Sequence, residues 1–161
     1  MPRLEKPTLY DIRQLKGIAD FQFGKGAGEV LFPKDIMVER SRGTKRIKIA
    51  YLNGDRLCSF RVRDGFLILS ILGGENLHKN NLGLRVKIIE DVEPFIRKSK
   101  SVFAKHVLEA DEKIASKEEV LIVNPKDEFL GIGTAKIPGK LMIQINSGVA
   151  VDTRKGIGEK K

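Results

Sequence analysis

The chain has 161 residues, 41% of them hydrophobic and 32% charged, and its 30 Lys plus Arg against 21 Asp plus Glu give a formal net charge of +9. Those figures fit one compact domain or two small ones with a core to bury. A single cysteine and two histidines exclude a disulfide framework and a dedicated structural zinc site. The longest mostly apolar run, Phe66 to Leu72, falls far short of the roughly 20 residues that cross a bilayer. The opening Met1-Pro2-Arg3-Leu4-Glu5-Lys6 has no apolar signal core, so the expectation is a cytoplasmic protein that no membrane holds.

Taken in chain order, Leu9, Ile12 and Leu15 fall three apart and predict a short amphipathic helix that Gly17 ends. The glycine-rich link Gly24 to Gly28 lacks the Gly-Lys-Ser/Thr ending of a phosphate loop and reads as a turn. Val30-Leu31-Phe32 and Ile36-Met37-Val38 read as short strands. Asn53-Gly54 is the favoured two-residue loop of a tight hairpin, because both positions call for positive φ. Counted out from that loop, Lys48 faces Ser59, Ile47 faces Phe60 and Arg46 faces Arg61. One face then carries Ile47, Ile49, Cys58, Phe60 and Val62, the other Arg46, Lys48, Arg61 and Arg63. Asp64-Gly65 turns the chain into a third strand, Phe66 to Leu72, which Gly73-Gly74 ends. Cys58, on the apolar face, reads as a buried small hydrophobe. A domain boundary is expected near residues 79–83.

The second half alternates short β-branched runs with turns. Leu84 to Ile89, Val102 to Val107, Val120 to Val123, Phe129 to Ile137 and Val149 to Thr153 are predicted strands. Val92 to Lys98 is a helix with Pro94 in its first turn. Short strands at regular spacing point to a small β-barrel, and Lys155 to Lys161 reads as a frayed basic tail. The fold class is therefore α+β, mainly β: a small α+β domain over residues 1–80, a barrel over 84–156, and a flexible tail over 157–161.

Charge is concentrated. Between Arg40 and Arg63 there are eight basic residues and one acid, Asp55, and Pro94 to Val107 holds Arg97, Lys98, Lys100 and Lys105 with no acid. Such concentrations favour a polyanion partner over simple solvation.

Lys100-Ser101-Val102-Phe103-Ala104-Lys105-His106-Val107, the run Glu118 to Val123, Phe129 to Ala135 and the closing Gly148-Val149-Ala150-Val151-Asp152-Thr153-Arg154 resemble a PUA domain. Together with Phe21-Gln22-Phe23-Gly24, Ser41 to Arg46 and Arg61-Val62-Arg63-Asp64-Gly65 they resemble the C-terminal part, pre-PUA plus PUA, of archaeal archaeosine tRNA-guanine transglycosylases. That resemblance implies a PUA pseudobarrel gripping structured RNA, commonly the acceptor stem and 3′ end of tRNA. By motif position it implies RNA contacts at Lys98, Lys100, Phe103, Lys105, His106, Arg154 and Lys155. Lysine and arginine supply phosphate contacts, and flat side chains can meet unpaired bases. Phe103 reads equally as a core residue, and His106 as an ordinary barrel-edge histidine. The basic face of Arg46, Lys48, Arg61 and Arg63 is a further candidate RNA contact, drawn from register rather than resemblance.

The transglycosylase family also has a large catalytic barrel with a carboxylate nucleophile and cysteine zinc ligands, for which these residues offer no counterpart. Asp111 and Asp127 are lone loop carboxylates that form turns. Gly131-Ile132-Gly133 sits in a strand and lacks a dinucleotide site's third glycine and helix. The expectation is a non-catalytic RNA-binding protein without cofactor or metal. It would act on tRNA alone or as the RNA-gripping partner of a separate transglycosylase catalytic chain. The alternative is a ribosome-assembly or translation factor bound to ribosomal RNA or the ribosome.

Overall fold

The structure is a computed structural model that describes residues 3–159. The chain divides into two compact units, one ending at Leu82 and the other beginning at Gly83. The first contains β1 (Leu4–Glu5), α1 (Leu9–Phe23), α2 (Ala27–Leu31), β2 (Met37–Arg40), β3 (Ile47–Leu52), β4 (Asp55–Phe60), β5 (Leu67–Leu69) and α3 (Ile71–Lys79). Its five strands form an antiparallel sheet in the order β1-β2-β3-β4-β5. Leu15, Ala19 and Phe23 of α1, Leu31 of α2, Val38, Ala50, Leu57 and Leu69 of the sheet and Leu77 of α3 are all buried in this unit.

A capping box starts α1. The Thr8 hydroxyl accepts the Asp11 N–H at 3.1 Å, and the Asp11 carboxylate accepts the Thr8 N–H at 2.8 Å. Arg40, from the end of β2, binds the same carboxylate and also donates from Nε to Glu5 Oε1 at 2.7 Å. Desolvation pushes the Asp11 carboxyl up, but the Arg40 hydrogen bond and the Thr8 donors outweigh it and hold it below the usual carboxylate range. The helix does not stop at Gly17. It runs on to Phe23 and ends at Gly24, whose φ of 110° only glycine adopts readily. Val30 and Leu31, expected in a strand, belong to α2, which packs on α1 with Gly28 too close to the Lys16 backbone for any side chain.

The hairpin turn at Asn53-Gly54 forms with φ of 52° and 85°. The register beyond it differs from the expected one. Leu52 pairs with Asp55 and Tyr51 with Arg56, but Ala50 pairs with Cys58 and Ile49 with Ser59. Leu57 is thus an extra residue, a β-bulge, and it brings two consecutive side chains, Leu57 and Cys58, into the core. The bulged carbonyl is satisfied by Ser70, whose N–H and hydroxyl reach it at 3.1 and 2.8 Å. Ser70 also caps α3, accepting the Gly73 N–H. Gly73 and Gly74 therefore lie inside a helix rather than after a strand, and a Cβ at Gly73 would stand 2.2 Å from the Leu57 oxygen. Burial pushes the Cys58 thiol up to about 12.

The second unit contains β6 (Arg85–Ile88), α4 (Glu93–Arg97), β7 (Val102–Phe103), β8 (Val107–Ala110), β9 (Glu119–Val123), β10 (Phe129–Ala135), α5 (Gly139–Met142) and β11 (Val149–Gly156), with one-turn 3-10 segments at Glu90–Val92 and Ala104–His106. The six strands follow the order β7-β11-β10-β9-β6-β8 and make a nearly closed, barrel-like sheet. Every pairing is antiparallel except β6 with β9. Val86, Ile88, Ile96, Val102, Val120, Ile122, Leu130 and Val151 fill its interior. The expected strand from Val102 to Val107 is two strands separated by the Ala104–His106 turn. Gly131 and Gly133 let β10 press on β11, since a Cβ would lie 2.6 Å from the Lys155 oxygen and 2.5 Å from the Asp152 oxygen. Lys155 does not fray: β11 includes it and Gly156. Ile157 N–H bonds to Leu130 O and Gly158 N–H to Arg97 O, each at 2.9 Å. The rest of the expected tail, Lys160 and Lys161, lies outside the described residues.

Candidate nucleic-acid interface

The residues singled out in the barrel fall into two places. At one, β7 turns Val102 inward and Phe103 outward, 46% exposed. Phe103 pairs with Val149 at the beginning of β11, and the next residue, Ala104, donates its N–H to Gly148 O at 2.9 Å. The 3-10 turn then brings the His106 ring against Phe103, edge to face, at 6.2 Å and 88°. Lys105 projects from the same turn and is exposed. The corner thus offers a half-open aromatic face, an imidazole and a cation within four consecutive residues. Three exposed aliphatics, Leu141, Ile143 and Ile145, occupy α5 and the chain after it, which leads to Gly148 at the same corner. Sequence reading passed over them, although the run Leu141-Met142-Ile143-Gln144-Ile145 between Pro138 and Gly148 was a visible signal.

The second place lies at the other end of β11, six residues along the strand and about 20 Å away. Gly156 packs against the Ile96 and Arg97 carbonyls of α4 and donates its N–H to Ser99 Oγ at 2.9 Å. This contact brings exposed Lys155 near exposed Lys98, and Lys98 pairs with Glu159 at 3.4 Å. Lys100, also exposed, follows the turn that ends α4 and lies between the two places, at most about 11 Å of chain from Phe103.

Arg154 differs from its neighbours. It is the extra residue of a bulge, since Ile132 pairs with Lys155 and Gly133 with Thr153. Its guanidinium grips Glu119 with both terminal nitrogens, Nη1 standing 3.2 Å from Oε2 and Nη2 binding Oε1. The Glu119 side chain is 2% exposed and also accepts the Thr134 hydroxyl at 2.9 Å. This buried partner, 35 positions away, carried no sequence signal.

In the first unit, the four cations expected on one strand face do not share it. Lys48 is on β3, exposed, 3.6 Å from Glu39. Arg46 precedes β3 in a loop closed by its own carbonyl and the Ser41 N–H at 2.8 Å. Arg61 and Arg63 leave the sheet in a turn in which the Arg61 N–H donates to Phe66 O at 2.8 Å. The Leu57 bulge is the reason: with Ile49 already opposite Ser59, continuing the ladder would bring Arg61 opposite Ile47, not Arg46. Val62, expected in the core, is fully exposed. Arg61 holds Asp64 at 2.8 Å, and that hydrogen bond lowers the Asp64 carboxyl despite slight desolvation.

A 280 Å³ cleft beside α4 is lined by Glu90, Glu93, Asn124, Lys126 and Glu128, among others. Three of its polar side chains, Glu93, Asn124 and Glu128, are engaged in the fold. Arg97 binds Glu93 at 3.0 Å, and the Asn124 amide donates to Glu93 and Glu128 at 2.8 and 2.9 Å. Asp127, at the same turn, binds Arg85 at 2.7 Å. Among the described residues no group of three or more His, Cys, Asp and Glu is placed to hold a metal ion, and no helix is long and apolar enough to cross a membrane.

Comparison with known proteins matches residues 13–81 to the patch-forming domain C2 of tRNA-guanine transglycosylase and residues 85–157 to the PUA domain. The tRNA-guanine(15) transglycosylase of Methanothermobacter thermautotrophicus is 44% identical over 151 residues, 92% of this chain and 23% of the relative. That of Pyrococcus furiosus is 42% identical over 162 residues, 99% of this chain and 27% of the relative. The chain therefore spans about a quarter of the length of the curated relatives it matches. Among solved structures, a hypothetical protein from Pyrococcus horikoshii OT3 shares the fold with a TM-score of 0.75 at 23% identity, covering 98% of this chain and 96% of that one. A PUA domain protein from Thermoplasma acidophilum does so at 0.67 and 16% identity, with the same coverage.

Proposed function

We propose, from the premise that this chain is a C2 domain joined to a PUA domain and corresponds to the C-terminal region of tRNA-guanine transglycosylases, that it binds tRNA without catalysing a reaction itself. The observation that carries the reading is the Phe103–His106 corner. A half-exposed ring buttressed edge-on by an imidazole, beside exposed Lys105, suits an unpaired RNA end, whose bases can stack and whose phosphates attract cations. Lys155, about 20 Å away along β11, and Lys98 and Lys100, on the chain that leads from there back to the corner, supply further phosphate contacts, an arrangement suited to an acceptor stem entering at one end of β11 and its 3′ end reaching the other. The names of the 44% and 42% identical relatives support tRNA over ribosomal RNA. In the cytoplasm the chain serves as the RNA-gripping partner of a separate transglycosylase catalytic chain.

The test is the affinity of the full chain for tRNA and for ribosomal RNA fragments across a salt series. Four to six neutralised phosphates give a log–log slope of about −3 to −5 for tRNA. A slope near zero removes the electrostatic basis of the reading, and tighter binding to ribosomal RNA moves the target to the ribosome.

A further inference from the structure

We infer that the solvent face of α1, with the turn at residues 61–66, is a second RNA-contact surface on which Phe21 stacks an unpaired base; this rests on the RNA-binding reading above. The buried stripe of α1 is Leu15, Ala19 and Phe23. Helical periodicity therefore sends Tyr10, Gly17 and Phe21 to the opposite side. There a surface helix ordinarily carries polar groups, yet Tyr10 is 72% and Phe21 79% exposed.

Phe21 is held in place. Its ring stacks on Phe66 with centroids 6.0 Å apart and planes 25° from parallel, and the Arg61 guanidinium stands 6.0 Å from the Phe66 centroid. Asp64 in turn fixes Arg61. The ring is thus pre-organised and open to solvent over most of its surface, the condition under which a stacking partner need not order it on binding.

Gly17, one turn before Phe21, gives an independent sign. Glycine weakens a helix interior, and nothing in the fold calls for it: a Cβ there meets no atom within 4 Å, and its φ is not left-handed. What it provides is a bare strip of helix beside a flat ring, where a planar group can approach the backbone. The surrounding charge fits an anion. Arg13 and Arg63 are exposed, while the nearby acids are engaged, Asp20 accepting the Gly28 N–H at 2.7 Å and Asp64 held by Arg61. Aromatic platform plus arginine is the combination that binds single-stranded nucleic acid.

The experiment uses the full chain, tRNA, and a single-stranded oligoribonucleotide carrying 2-aminopurine, whose fluorescence is quenched on stacking. Phe21→Leu keeps apolar surface but loses the ring. It is expected to weaken oligonucleotide binding about 5- to 100-fold and to abolish the quenching, with the melting temperature and the salt slope unchanged. Gly17→Gln, which strengthens the helix yet fills the strip, is expected to weaken the same binding. Full affinity and quenching in both variants overturns the inference while leaving tRNA binding by the barrel intact. Loss with Phe21→Ala but not with Phe21→Leu also overturns it, because apolar surface rather than a stacking ring would then hold the RNA. A wild-type chain that binds neither RNA overturns both readings.

Discussion

Arg154 is the residue at which a structural role and an RNA-binding role make opposite predictions. Replacing it with methionine keeps the aliphatic stem and removes the guanidinium that faces Glu119, whose side chain is 2% exposed against 33% for Arg154. Breaking a buried ion pair costs about 3–5 kcal/mol, because a charge stays behind in a poorly solvated place. Here the Thr134 hydroxyl remains on Glu119 Oε2 at 2.9 Å, and water reaches the vacated side, so we expect about 2–3 kcal/mol. For a unit of this size that is a fall in melting temperature of about 10–20 °C, measured by circular dichroism on the full chain. Adding Glu119→Gln should restore much of the loss, since the double variant leaves no buried charge. Lys155→Gln, one position along and exposed, should change stability by no more than about 0.5 kcal/mol and lower the RNA salt slope by up to about one. An Arg154→Met protein that melts like the wild type but has a shallower salt slope would refute the assignment of Arg154 to the fold.

In the first unit, Gly73→Ala should destabilise by about 1–3 kcal/mol in denaturant titration, because its methyl meets the Leu57 carbonyl at 2.2 Å, whereas Gly17→Ala, with open space around it, should stabilise by up to about 1 kcal/mol. Against the desolvation that raises it, the Arg40 and Thr8 hydrogen bonds hold the Asp11 carboxyl below the usual carboxylate range, so the folded state binds fewer protons than the unfolded one in mild acid. Its contribution is complete above about pH 5 and disappears as pH falls through the lowered native value. Denaturation midpoints should drop between pH 6 and pH 3 by less in Arg40→Met than in the wild type. Limited proteolysis should cut near Asn80-Asn81, where α3 ends and Asn81 has a φ of 57°, and the fragment from Gly83 onward should give a cooperative melt, since the second unit holds its own core.

Some of this architecture is plain in the residues. Asn53-Gly54 fixes a hairpin because the positive φ values are local requirements, and the β-branched runs of β9 and β10 need only their own sequence to read as strands. The register four residues later was not legible from spacing alone, because Leu57 inserts itself. The adjacent apolar pair Leu57-Cys58, which no strict alternation would place together, was the available sign. Glycine misled twice. Gly17 and Gly73 both lie in helices, and the residue that mattered for α3 was Ser70, its cap. Of the candidate RNA contacts, Phe103, Lys105 and His106 form one corner because they are consecutive. Arg154 drops into a different context because Glu119 and Thr134 reach it only across neighbouring strands, and cross-strand neighbours are set by tertiary structure.

The strand order of the second unit also bears on the chain's synthesis. β11, the last strand to be made, is not at an edge but between β7 and β10. Until it leaves the ribosome, β7 lacks the strand it pairs with and β10 shows an open edge, so the sheet cannot close however long the earlier strands wait. The first unit has all its strands and helices by Lys79 and can fold while the second is still being translated. The strand order therefore favours vectorial folding, with the barrel-like sheet closing last. The interval before that closure is when the nascent protein is most exposed to strand exchange with its neighbours on a polysome, and a ribosome that stalls before Val149 would release a folded first unit tethered to an aggregation-prone remnant.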